Sequence, residues 1–80
     1  MKFDVTWEVG AEMALKNLRD GQAVERIARG VHDLSMRGVG KLRRRGTSET
    51  EFTLHVGPYA VALTVDIANR HITVWGFVSR

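Results

Sequence analysis

Five of the nine residues from Arg37 to Arg45 are basic: Arg37, Lys41, Arg43, Arg44 and Arg45. No acidic residue lies between Asp33 and Glu49. Clustered positive charge of this kind attracts polyanions. Guanidinium forks match phosphate oxygens and stack on bases, and Lys41 adds a point charge. A solvated loop that keeps the protein soluble would use the same residues, so the run alone leaves both readings open. His55 adds a second chemical possibility. It sits on the polar side of an alternating stretch, where an imidazole can move a proton near neutral pH. A surface histidine on a strand is the simpler alternative. His32 and His71 lack metal-ligand spacing with another His, Asp or Glu, and there is no cysteine. Neither a metal nor a cofactor is therefore expected. Ser35, Ser48 and Ser79 have no nucleophile-elbow context, and Gly38, Gly40 and Gly46 form no phosphate loop.

The elements that must position these groups read as β-α-α-β-β-β. Phe3, Val5 and Trp7 alternate with polar residues, the pattern of a half-buried strand. Ala11, Ala14, Leu15 and Leu18 then repeat at helical spacing. Arg19-Asp20-Gly21 breaks that helix, and Asp20 can cap the next one. The second helix carries Ala23, Val24, Ile27, Ala28, Val31 and Leu34 as its apolar stripe, with Glu25 and Arg29 spaced to pair. Gly38 supplies its left-handed stop. Gly38-Val39-Gly40 forms a joint, and Lys41 to Arg45 fits either an extended or a loop conformation.

Three strands follow. Phe52, Leu54 and Val56 alternate with Thr53 and His55; Gly57-Pro58 turns the chain. Tyr59, Val61, Leu63 and Val65 alternate with Ala60, Ala62 and Thr64. A second turn spans Ile67 to Arg70, where Asn69 suits a positive φ. Ile72, Val74 and Val78 then alternate with Thr73, Trp75 and Phe77. Short turns favour an antiparallel meander. The expected fold is α+β, with two N-terminal helices on one face of an antiparallel sheet. The other face would carry Thr53, His55, Ala60, Ala62, Thr64, Thr73, Trp75 and Phe77. Trp75 and Phe77 there could stack on bases or cover arginine stems, but they are read first as partner-binding, since so short a chain has little core of its own.

Eighty residues make one domain, 1–80, with a small core. A composition 44% hydrophobic and 26% charged is that of a globular domain rather than a disordered one. The net charge of +3 is modest, so the clustering says more than the total. The first residues show no secretory h-region, and the longest nearly apolar stretch, Val56 to Val65, is too short to cross a bilayer. A cytoplasmic protein with no membrane partner is expected.

With the elements placed, the chain resembles the RelE/ParE superfamily of toxins from bacterial type II toxin–antitoxin modules, nearly end to end. Gly10 to Leu18 is similar to the family's Ala-Glu-x-x-Leu-x-x-Leu helix. Lys41-Leu42-Arg43 resembles its Lys-Leu-Arg, and Phe52 to Tyr59 its Tyr-x-Leu-x-Val-Gly-x-Tyr hairpin. The closing hairpin is similar from Val61 to Arg80. The resemblance implies a cognate antitoxin with a helical or disordered segment. For RelE-like members it implies ribosome-dependent cleavage of mRNA, which inhibits translation, and for ParE-like members poisoning of DNA gyrase. A non-catalytic relative that binds only nucleic acid or an antitoxin is the third possibility. By position, Arg43 and Arg80 match basic residues of the RelE site, and His55 can serve as base or acid there. Lys41, Arg43, Arg44, Arg45 and Arg37 would hold RNA phosphates. Thr53 and Ala60 depart from the basic residues that many members carry at their positions.

Overall fold

The computed structural model describes residues 2–79. The element order is β1 (Asp4–Trp7), α1 (Val9–Asn17), α2 (Gly21–Arg37), β2 (Lys41–Arg44), β3 (Glu51–Val56), β4 (Tyr59–Asp66) and β5 (His71–Ser79). The α+β architecture is as expected, with two differences. The basic run is itself a strand, β2, so the sheet has five strands in the order β1-β5-β4-β3-β2. β1 runs parallel to β5, which makes the sheet mixed, while β2 to β5 are antiparallel neighbours.

Local chemistry fixes the helix ends. Asp20 accepts from the backbone N–H groups of Gln22 (3.0 Å) and Ala23 (3.3 Å). These bonds satisfy donors that would otherwise be orphaned at the start of α2. Gly38 closes α2 with φ 67, and its N–H bonds back to Leu34. The stripe of α2 buries Ala23, and its Ile27, Val31 and Leu34 cluster with Leu54, Val61, Leu63, Ile72 and Val74 of the sheet. Ala11 of α1 joins this core.

Helix α2 sits close to β3 because Gly30 has no side chain. A Cβ there would lie 2.8 Å from a methyl of Val56. Gly30→Leu should lift the helix and destabilise the fold by about 1–3 kcal/mol, the usual cost of overpacking. Urea unfolding followed by circular dichroism would measure it.

The β3–β4 hairpin turns through Gly57 and Pro58, with Gly57 at φ 54. The β4–β5 turn differs from expectation: Arg70, at φ 50, takes the left-handed conformation. Asn69 has another role. Its side-chain and backbone N–H groups both donate to the Asp66 carboxylate, at 2.8 and 3.1 Å. Those bonds, the side-chain one foremost, hold the Asp66 carboxyl below its ordinary range, and nearby His71 adds a smaller attraction. The folded-state value is the lower one. The stabilisation is therefore present at neutral pH and lost as pH falls through the folded-state value. Asp66→Ala should lower Tm at neutral pH, with the gap to the parent closing on acidification.

One irregularity decides which way the last strand faces. In the β4–β5 ladder Leu63 pairs with Val74 but Ala62 pairs with Gly76, so Trp75 is an extra residue on β5. Such a bulge reverses the side-chain phase beyond it. Phe77 pairs with Val61 on the helix side, where it meets Tyr59 edge to face with ring centroids 6.0 Å apart. Val78 pairs with Ala60 and turns outward, 65% exposed. The alternation read through Trp75 placed Phe77 outside and Val78 inside; the bulge exchanges them.

Candidate nucleic-acid interface

Strand β2 is an edge strand, exposed along its whole length. Its alternation sorts the basic run by face. Lys41 lies opposite His55, and Arg43 opposite Thr53. Leu42 lies opposite the buried Leu54, which marks the helix-side face, and Arg44 opposite Phe52 shares that face. Arg45 lies just beyond the strand, its backbone N–H donating to Glu51 (2.9 Å). Arg45 lines an open-face groove together with Thr53 and Trp75.

The predicted cations are therefore only partly brought together. Lys41, Arg43 and Arg45 share the open face; Arg44 points to the other. Arg37 ends α2, where it forms an ion pair with Asp33 at 3.0 Å and lines a depression on that helix with Arg29 and Met36. It belongs to a different surface, and part of its charge is neutralised. Arg80 lies outside the described residues. Among the described residues the ion pairs are Glu12–Lys16 and Asp33–Arg37, so the cations of the basic strand have no carboxylate at ion-pair distance. Uncompensated charge on an edge strand also opposes edge-to-edge pairing.

A depression of about 500 Å³ opens beside β2, lined by Lys41, Leu42, Arg43, His55 and Gly57. His55 is half-buried at its wall, and among the described residues its buried Nδ1 has no hydrogen-bond partner. A buried polar atom left unpaired costs about 1–3 kcal/mol. A ligand atom that bonded Nδ1 would recover part of that cost.

A second concavity, about 400 Å³, runs across the open face. Ala60, Ala62 and Gly76 keep its floor low, and Arg45, Trp75 and Val78 stand around it. Trp75 is 54% exposed, yet its Nε1–H donates to Thr64 Oγ1. Of the two aromatics expected here, only Trp75 presents its ring; Phe77 packs on the helix side. Sequence reasoning placed Ala60 and Ala62 on this face but passed over Val78 and Gly76. The available signal was Gly76, since an isolated glycine inside a strand marks a bulge. Chemically, the face can bind phosphate oxygens at Lys41, Arg43 and Arg45. It can also move a proton at His55 and offer a flat ring at Trp75.

No protein-family model matches this sequence, and no curated protein matches it either. Solved structures do share its fold. A chain of the RelBE2 toxin–antitoxin complex from Mycobacterium tuberculosis superposes with a TM-score of 0.78 at 20% identity, covering 100% of both chains. One from the archaeal RelE–RelB complex of Pyrococcus horikoshii gives 0.84 at 16% identity, covering 100% of this chain and 97% of that one. One from the RelB–RelE complex of Methanococcus jannaschii gives 0.72 at 15% identity, covering 92% and 88%. The fold is thus one found in RelE–RelB complexes. Among the described residues no helix is long and apolar enough to cross a membrane.

Proposed function

We propose that this chain is the toxin of a toxin–antitoxin pair and cleaves mRNA on the ribosome, acting in the cytoplasm. The supporting observation is the depression beside β2, where the Nδ1 of His55 adjoins the cations Lys41 and Arg43, none of the three having a partner among the described residues. In the proposed reaction a ribose 2′-oxygen attacks the adjacent phosphorus, and the bond to the 5′-oxygen breaks. One proton leaves the 2′-hydroxyl and one joins the 5′-oxygen. His55 carries one of these transfers. Arg43 and Lys41 stabilise the charge that builds on the phosphoryl oxygens. Arg45 holds a neighbouring phosphate, and Arg44 and Arg37 face away from this path. The proposed antitoxin masks the cationic edge and Trp75 with a helical or disordered segment of complementary charge. Its presence is supported by the complexes that share the fold.

The test adds purified protein to translating ribosomes and maps message ends by primer extension. New ends within the coding region are expected; intact message overturns the cleavage reading. Thr53 and Ala60, uncharged residues on the open face, favour a second reading in which the fold inhibits DNA gyrase without chemistry of its own. Inhibited supercoiling with intact message would establish that one.

A further inference from the structure

We infer that the groove between Arg45 and Trp75 is a stacking slot for one unpaired nucleobase of single-stranded RNA. This deepens the RNA reading above and rests on it. The bulge at Trp75 leaves a single aromatic ring on the open face, because Phe77 has turned to the helix side. The ring, Val78 and a floor of Ala60, Ala62 and Gly76 form one small concavity that a single flat base can fill. The bond from Trp75 Nε1–H to Thr64 fixes the indole at its edge and leaves the ring exposed. A preset ring loses little freedom when a base stacks on it. Across the groove stands Arg45, whose planar guanidinium also stacks on bases and has no carboxylate at ion-pair distance among the described residues.

Charge then says what kind of ring is delivered. Lys41 and Arg43 lie on the same face, so a chain whose phosphates follow the β2 edge brings its bases across the sheet. His55 lies on β3, two strand spacings from β5, or about 10 Å. The base in the slot therefore belongs to a different nucleotide from the one held at His55, and the slot acts on positioning and sequence context rather than on the reaction itself.

Fluorescence anisotropy with a labelled short oligoadenylate tests this, alongside an oligomer of equal charge carrying abasic sites. Trp75→Ala should weaken oligoadenylate binding roughly 5- to 100-fold, as loss of one base–aromatic stack does. Trp75→Phe should restore most of it, and the abasic oligomer should bind parent and Trp75→Ala alike. Arg43→Ala should weaken both oligomers. Circular dichroism should show both Trp75 variants folded, since the ring is outside the core. If Arg43→Ala weakens binding while Trp75→Ala does not, the slot is overturned and the phosphate site stands. A Trp75→Ala protein that keeps its RNA affinity but binds an acidic helical peptide less tightly also overturns it, as a protein contact. Failure of the parent to bind either oligomer overturns the slot together with the RNA reading.

Discussion

If the chain cleaves mRNA as proposed, Arg43→Ala is expected to lower the rate about 10²- to 10³-fold, the usual loss when one preorganised donor to a developing negative charge is removed. The side chain is exposed on an edge strand and supports no part of the core. The fold should therefore survive, and the loss should appear in the chemical step. Arg43→Lys should recover only part of the rate, because an ammonium cannot reproduce the two-pronged geometry of a guanidinium. The neighbouring position supplies the control. Arg44 is one residue away with the same charge, yet it pairs with Phe52 and faces the helix side. Arg44→Ala should change cleavage little. Equal losses at the two positions would mean that overall charge, not the open face, does the work. In single-strand binding, Arg43→Ala should also reduce the slope of log affinity against log salt by about 0.7, one phosphate contact.

Leu54→Ala is expected to cost about 2–5 kcal/mol of stability, the range for deleting a buried leucine. Leu54 is 1% exposed. It belongs to the core cluster that joins α2 to the sheet, and one of its methyl carbons would lie 2.9 Å from a Cβ at Gly40. A domain of this size holds a few kcal/mol in all, so a substantial unfolded fraction should be present at room temperature. Urea unfolding would show the shift in midpoint. Leu42→Ala is the comparison: Leu42 is 37% exposed at the edge and should cost much less. The consequence reaches the site, because Leu54 lies between Thr53 and His55 on β3. RNA or a protein partner that binds the folded form should restore part of the lost stability by mass action.

The outline of this protein is legible in its residues because it rests on local rules. Asp20 and Gly38 mark the ends of α2 through hydrogen-bonding and φ requirements that depend only on neighbours. The period-2 pattern of β3 and β4 assigns Leu54, Val61 and Leu63 to the core and His55, Ala60 and Ala62 to the open face. The cationic run and its lack of nearby acidic residues are likewise properties of the chain alone. Tertiary structure decided the rest. Whether Lys41 to Arg44 formed a strand depended on a partner, since β2 exists by pairing with β3, and only that pairing separates Arg43 from Arg44. β1 joined β5 in parallel although nearly the whole chain lies between them, a closure that no local pattern encodes. The facing of Trp75, Phe77 and Val78 hung on one extra residue in a ladder, because each added residue in a strand rotates everything after it to the opposite side. A sequence thus states which residues want burial and which carry charge, while pairing between distant strands determines which of those charges share a surface.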